Sequence, residues 1–328
     1  MTSKKRILSG MRPTGRLHLG HLVGALNNWV KLQESYHCFY MIADWHALMS
    51  EYEDTKDIRT NSYEMVKDLI ASGLDPEKSV IFIQSHVPEH LELYMIFSDI
   101  TPLGWVERCP TYKEQLREIK GRDLTTYGFL GYPVLQAADI ALYKADVVPV
   151  GVDQLPHLEL TREIVRRFNT IYGDNVFPEP APLMTKTPKL LGLDNRKMSK
   201  SYGNYISLSD EPIDIEKKVG GMITDATRVK LTDVGHPEAC NVFSYYTIFS
   251  STDMVSAVKD WCQGAKAGCT DCKKRLARVL SEHLEPLRQK RVKISDQDVK
   301  DILNEGRKKA SQAAGETMAV VKSLIHFA

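Results

Sequence analysis

Net charge is nearly absent from this chain of 328 residues, and that is the first useful fact about it. A formal balance of +1 gives no global electrostatic case for a polyanionic partner, so any basic surface has to be local. Long hydrophobic runs are missing too. Nothing approaches the roughly 20 apolar residues that a bilayer-spanning helix needs, so no membrane partner is expected. The opening MTSKKRILSGMRPTG has charge without the apolar stretch of a secretory signal, and the expected location is the cytoplasm. No G-x-x-x-x-G-K-[ST] loop occurs, which excludes an ordinary P-loop NTPase. No internal repeat or low-complexity segment is present, which excludes a repeat architecture. Cysteine is sparse at six residues, but four of them fall between Cys240 and Cys272. Where thiols stay reduced, such clustering points to a metal or to chemistry before disulfides.

What is present is an ordinary globular composition, 43% hydrophobic and 26% charged. The length suits about two domains with real cores. RILSG, CFYMIADW, VIFIQS and ADVVPVG read as buried strands, because near-continuous apolar runs suit a parallel sheet covered on both faces. Amphipathic helices lie between them. Leu22, Leu26, Trp29 and Val30 share one stripe; Leu158, Thr161, Val165 and Phe168 share another that stops at Gly173. The alternation predicts a doubly wound, Rossmann-type α/β domain over residues 1–205. Beyond the polar loop GLDNRKMSKSYGN the strand signals fade, and residues 206–328 read as an all-helical second domain.

Two loops carry the chemistry. In GMRPTGRLHLGHLVG, Pro13 and Gly15 turn the chain and His18, Leu19, Gly20 and His21 open a helix. A helix start favours an anion. Gly20 lets a flat base or ribose come close to the backbone, and the two imidazoles can donate to phosphate oxygens. In KMSKS, the side chains of Lys197, Ser199, Lys200 and Ser201 around Met198 suit a leaving polyphosphate. Taken alone, HLGH could be a surface helix start or half of a metal site, and KMSKS a solvated loop.

Together, and in this order, the two loops resemble the signature sequences of class I aminoacyl-tRNA synthetases. The resemblance covers the whole chain. Through LSGMRPTGRLHLGHLVGAL, ADWHAL, FIQS, YPVLQAADIALY, VPVGVDQLPHLELTREIVRRFN, RKMSKSYGN and GRKKASQAAGETMAVV it is closest to the tryptophanyl-tRNA synthetase family, with the tyrosyl enzymes as near relatives. Tyr132, Gln136 and Asp139 lie at i, i+4 and i+7 and share one helical face. The resemblance implies that Asp139 accepts the indole N–H of L-tryptophan, that Tyr132 and Gln154 meet its α-amino group, and that His46 packs on its ring. Otherwise His46 is a satisfied buried histidine. Gln136 stands where many relatives carry Met, and a Tyr/Gln/Asp face also resembles the tyrosyl pocket. Leu8 stands where tyrosyl enzymes place a second tyrosine, and it offers apolar surface instead of a phenol partner.

The resemblance further implies ATP and Mg²⁺ as cofactors and tRNA(Trp) as partner. His18, Gly20, His21, Gly151, Asp153 and the KMSKS residues would line the nucleotide, with His18, His21, Lys197 and Lys200 catalytic. Arg12 is a candidate nucleotide contact, standing where many relatives carry Gln. Lys113 or Lys120 would supply a further phosphate contact. A homodimer is implied, with its contact segment at about residues 100–130.

Cys240, Cys262, Cys269 and Cys272 are spaced C-x21-C-x6-C-x2-C. A structural zinc site usually pairs two C-x-x-C knuckles, and one is present here. A [4Fe–4S] cluster takes four thiolates at uneven spacing. A bacterial subset of the family carries such a cluster on a similar pattern, so the resemblance implies [4Fe–4S], with zinc as second choice. After Cys272 follow Lys273, Lys274, Arg275, Arg278, Arg288, Lys290 and Arg291 against Glu282 and Glu285, a local basic excess suited to an RNA backbone. The family reads the anticodon in this domain. The remaining alternatives are a tyrosyl enzyme, a non-catalytic tryptophan- or RNA-binding paralogue, and an iron–sulfur redox enzyme, for which no C-x-x-x-C-x-x-C element exists.

Overall fold

The computed structural model describes residues 4–110, 112, 113, 116, 123–184 and 190–327, without the side chain of Ser201. Lys120 and part of the expected dimer segment lie outside the described residues. The chain forms two compact units, and they do not divide at residue 205. One comprises residues 1–15, 29–186 and 295–328; the other comprises 16–28 and 187–294.

The first unit is built on a five-stranded sheet in the order β3-β2-β1-β4-β5. Its strands are β1 (Arg6–Met11), β2 (His37–Ile42), β3 (Ser79–Ile83), β4 (Val147–Val150) and β5 (Ala181–Met184). Every pairing is parallel, for example Leu8 with Phe39 and Ile7 with Val147. The α/β class expected from the alternation is therefore observed. β2 and β3 are buried along almost their whole length, which is why their sequences read as apolar runs. β5 carries no such signal. It is a largely exposed edge strand containing Pro182, a residue that edges tolerate.

The order runs outward from β1 to β3 and then returns to the other side of β1 with β4. That reversal opens a crevice at the carboxyl ends of β1 and β4, the usual ligand position in such sheets.

The terminal helix Asp296–Leu324 was expected in the second domain. It belongs instead to the sheet unit, where Ala310, Ala314, Met318 and Val321 join the core formed by Phe39, Phe82, Phe97 and Phe168. Gly306 makes this possible, because a Cβ there would collide with the backbone of Ile81 on β3. The amphipathic stripe showed that the helix buries a face; it did not show against what.

The second unit is helical apart from isolated bridges among the described residues. Its main elements are the helices Pro212–Gly220, Asn241–Phe249, Thr252–Gln263 and Cys269–Val292. Among the described residues, no helix is long and apolar enough to cross a membrane.

Candidate active site and cysteine cavity

The crevice at the carboxyl ends of β1 and β4 holds a cavity of about 340 Å³. Leu8, Arg12, His46, Tyr132, Gln136, Asp139 and Gln154 all line it; helical spacing had put Tyr132, Gln136 and Asp139 on one face, and the family resemblance had named the others. Met41, Ile140, Val148 and Val150 supply apolar wall, and Leu8 is buried among them. Helix Tyr132–Leu142 runs along one side and sets Tyr132 and Asp139 about 10 Å apart, two turns.

Asp139 is neither a helix cap nor a surface charge, since it is 2% exposed. Its carboxylate accepts from His90 Nδ1 at 2.6 Å, from Gln84 Nε2 at 2.8 and 3.0 Å, and from His46 Nε2 at 2.9 Å. Burial alone would raise its pKa, but His90 and His46 hold it down to about 2. His46 is thus hydrogen-bonded to Asp139 in the cavity wall, through a ring edge that leaves its face free. Gln84 and His90 were missed in the sequence, although FIQS had been noted as a matching stretch. Behind them Tyr143 closes the chain, its hydroxyl 2.9 Å from His90 Nε2.

At the other end, Tyr132 OH lies 3.1 Å from His157 Nε2, and Gln154 donates to Asp153 at 3.0 Å. Gly151 precedes this turn, and a Cβ there would crowd the Asp153 carboxylate. Arg12 belongs to this cavity, its guanidinium pushed below the usual arginine range by burial against the pull of Tyr132 and Glu51.

The two signature loops come together within the second unit. Leu19 N–H donates to Ile206 O at 3.0 Å and Leu208 N–H to Leu17 O at 2.9 Å, so the HLGH turn is pinned to the chain just after KMSKS. The His18 and His21 rings lie 3.7 Å apart. Burial lowers both pKa values, that of His18 to about 4, and Lys200 reinforces the shift, so both rings are neutral near pH 7. His21 Nδ1 accepts from the backbone N–H of His18 at 3.2 Å, which leaves its Nε2 carrying the proton. His18 Nδ1 is buried with no hydrogen-bond partner among the described residues. A Cβ on Gly20 would meet the His18 ring at 3.0 Å and the Met198 sulfur at 3.1 Å, so a larger residue there would push on both signatures. The segment Leu22–Leu26 that follows is a π-helical turn, which breaks the regular period read from the sequence.

KMSKS is organised by a residue that sequence reasoning passed over. Asn204 accepts from Ser199 N–H at 2.9 Å and donates to Lys197 O at 3.1 Å and Asp194 at 2.7 Å. Gly203, at φ +63°, makes the turn that presents it. The stretch SYGN carried that signal.

Cys240, Cys262, Cys269 and Cys272 line one cavity of about 30 Å³ together with Asp225, Arg228 and Trp261. All four are free thiols. Burial raises the Cys262 thiol and pushes Cys272 up to about 11. Arg228 lies 4.0 Å from the Cys269 sulfur. Among the described residues, no three Cys, His, Asp or Glu side chains already stand in a metal-holding arrangement. The donor set itself, four thiols from three segments meeting at one small cavity, fits a four-thiolate group in number and chemistry. The basic run after Cys272 needs one correction. Arg288 is buried and donates to Asp210 O at 3.2 Å and Glu285 at 2.6 Å, so it packs the unit rather than facing a partner.

A parallel sheet with its cavity at the switch point, an HLGH helix start and a KMSKS loop define a class I aminoacyl-tRNA synthetase. A family profile described as tRNA synthetases class I (W and Y) matches residues 1–285, and the chain belongs to that family. It is 51% identical to a Tryptophan–tRNA ligase from Thermotoga maritima, over 98% of this chain and 99% of that one. It is 42% identical to another from Aquifex aeolicus, over 98% and 100%. A tryptophanyl-tRNA synthetase structure from Campylobacter jejuni, complexed with ADP and tryptophan, is similar with a TM-score of 0.89 and 32% identity, covering 98% of this chain and 99% of that one.

Proposed function

We propose that the chain is a tryptophan–tRNA ligase that activates L-tryptophan with ATP and transfers it to tRNA(Trp). One observation carries this reading: a cavity with Leu8 in its apolar wall that closes on the buried, ionised acceptor Asp139. An indole N–H donates and cannot accept, whereas a phenol needs partners for both. Of the donors to Asp139 among the described residues, only His46 lines the cavity, so the indole N–H is directed to Oδ2, the oxygen that accepts from His46 and Gln84. A volume near 340 Å³ is at the small end for ligand pockets and suits one amino acid. The names of the relatives and the tryptophan in the Campylobacter jejuni structure support the same substrate.

Tyr132 and Gln154 hold the substrate ammonium, and Arg12 meets the end where carboxylate and α-phosphate react. The carboxylate oxygen attacks the α-phosphorus in line, a P–O bond forms, and pyrophosphate leaves with the electrons of the α–β bond. His18 and His21 each donate one N–H to phosphate or ribose oxygens, and Gly20 gives room for the adenosine. Gly151 and Asp153 border the nucleotide. Lys197, Ser199, Lys200 and Ser201, with Met198 packed beneath, hold the departing pyrophosphate. Mg²⁺ accompanies the triphosphate, held by phosphate oxygens and water. The terminal 2′-OH of the tRNA then takes the acyl group and AMP leaves. Catalysis rests on positioning and charge stabilisation, with no covalent enzyme intermediate.

The four cysteines hold a [4Fe–4S] cluster, with zinc as the second choice. Bound, it ties their segments together beside the basic start of helix Cys269–Val292, where Lys273, Lys274, Arg275 and Arg278 meet the tRNA. The active form is a homodimer joined through about residues 100–130.

The test is amino-acid-dependent ATP–pyrophosphate exchange, with tryptophan and tyrosine offered separately to anaerobically purified protein. Exchange with tryptophan alone is expected. Exchange with tyrosine would overturn the reading of Asp139 and Leu8, and exchange with neither would favour a non-catalytic binding protein.

A further inference from the structure

Asp139, on helix Tyr132–Leu142, and Tyr143, at the end of that helix, stand one turn apart, so their side chains leave it on one face. A third side chain clips them together. His90, from helix Glu89–Ile100, places Nδ1 2.6 Å from Asp139 Oδ1 and Nε2 2.9 Å from the Tyr143 hydroxyl. His90 and Tyr143 are both fully buried, behind the cavity rather than in its lining. Phe82 packs against both rings, with centroids 5.9 and 5.4 Å away, and Phe39 stacks on Tyr143 at 4.6 Å. The imidazole is therefore tied at both nitrogens and walled on a face.

An ionised carboxylate accepts and cannot donate. The short contact to Oδ1 therefore needs a proton on His90 Nδ1 in either charge state of the ring. In the neutral ring Nε2 accepts from Tyr143; in the charged ring it donates to the same oxygen. Either way Tyr143 sets the angle of the ring and the N–H points at Oδ1. Gln84 Nε2, also fully buried, reaches both oxygens, at 2.8 Å to Oδ1 and 3.0 Å to Oδ2. His46, which does line the cavity, meets Oδ2 at 2.9 Å. The grip on the carboxylate is thus asymmetric. Oδ1 is held from inside the core, and Oδ2 lies on the side of the cavity.

The last torsion of an aspartate is broad, so an ungripped carboxylate would turn and offer either oxygen at a range of angles. An incoming donor would then bear the cost of fixing it. Apolar side chains of similar volume could fill the space behind Asp139 at no loss of stability, so packing alone does not call for a histidine and a tyrosine there.

We infer that His90, backed by Tyr143, is a positioning residue that fixes the rotation of the Asp139 carboxylate, turns Oδ2 toward the cavity, and so makes the site selective for an aromatic ring that carries an N–H donor. The inference rests on the reading of Asp139 as the indole acceptor and adds what makes that acceptor selective. The chemistry recognised is the ring N–H itself, as distinct from the size or flatness of the ring.

The experiment is calorimetric binding of L-tryptophan and of β-(3-benzothienyl)-L-alanine, which keeps the shape of the side chain but has sulfur in place of the ring N–H. Wild type, His90→Leu and Tyr143→Phe are compared. Wild type should prefer tryptophan roughly thirtyfold, as one hydrogen bond to a charged group provides. His90→Leu should cut that preference about tenfold, and Tyr143→Phe about threefold, each by weakening tryptophan while the sulfur analogue changes less than about twofold. Equal weakening of both ligands in His90→Leu would mean a merely structural role and would overturn the inference. A full wild-type preference in either variant would overturn it too. Should His90→Leu not fold, Tyr143→Phe decides alone by the same two outcomes. A wild-type protein that binds the two ligands equally would instead sink the reading of Asp139 as the indole acceptor, and the inference with it.

Discussion

The cavity at Asp139 and the cysteine cavity are both walled by packed side chains, yet their polar groups are satisfied in different ways. Around Asp139 the protein supplies its own partners, with His46, Gln84 and His90 all donating to one carboxylate. The four cysteines line one cavity, where Arg228 donates to a thiol, at 4.0 Å from Cys269, and burial holds Cys272 protonated, with a pKa of about 11. The first site is preorganised by folding and pays its desolvation through internal hydrogen bonds. At the second, the proposed metal would replace thiol protons, which would link that site to metal and to pH.

The hardest way to break this comparison is Asp139→Asn. Removing the charge leaves buried donors facing an amide, and unfolding should show a loss of about 3 kcal/mol. Tryptophan-dependent exchange should fall roughly a thousandfold. Retained stability and exchange would mean that the network is not preorganised as described.

Asn204→Ala should follow in size. The loop keeps its lysines but loses the side chain that joins Ser199, Lys197 and Asp194, so kcat for exchange should drop about a hundredfold with tryptophan binding unchanged. A change in tryptophan affinity of comparable size would contradict it.

Cys269→Ser sharpens the contrast from the other side. Bound iron and the cluster's visible absorption should be lost, and the KM for tRNA should rise about tenfold while exchange stays within about twofold. Intact aminoacylation and fold in this variant would remove the proposed role of the cluster in meeting tRNA.

The remaining test is a pH slope. His18 and His157 titrate near 4 when folded and near 6.5 when unfolded. Between those values the unfolded chain binds more protons, so stability should rise with pH from about 4 to 6.5 and level off above. Asp139, depressed from 3.8 to about 2, should add a further loss only as pH falls below about 4. Thermal unfolding of wild type and His157→Gln across this range reads the difference, and an unchanged slope in the variant would exclude His157 as a contributor.

Particular residues show how far the sequence could be read. β2 and β3 are legible because strands buried on both faces leave unbroken apolar runs, while β5, exposed and containing Pro182, leaves none. Tyr132, Gln136 and Asp139 are legible as one face because helical spacing is local. The partners of Asp139 are not, since Gln84 and His90 lie 55 and 49 residues away. The same holds for Arg288, which reads as one more cation in a basic run and is in fact buried against Asp210 and Glu285.

The sequence by itself determined the alternation of strands and helices, the two signature loops and the set of four cysteines. Each of these is a matter of spacing between neighbours along the chain. Only the tertiary structure decided that the last helix packs on β3 through Gly306, which donors satisfy Asp139, and that His157 stands behind Tyr132. The physical reason is that an apolar stripe or a charged side chain states a need for burial or for a partner. Which surface or group meets that need is set by the packing of segments far apart in sequence.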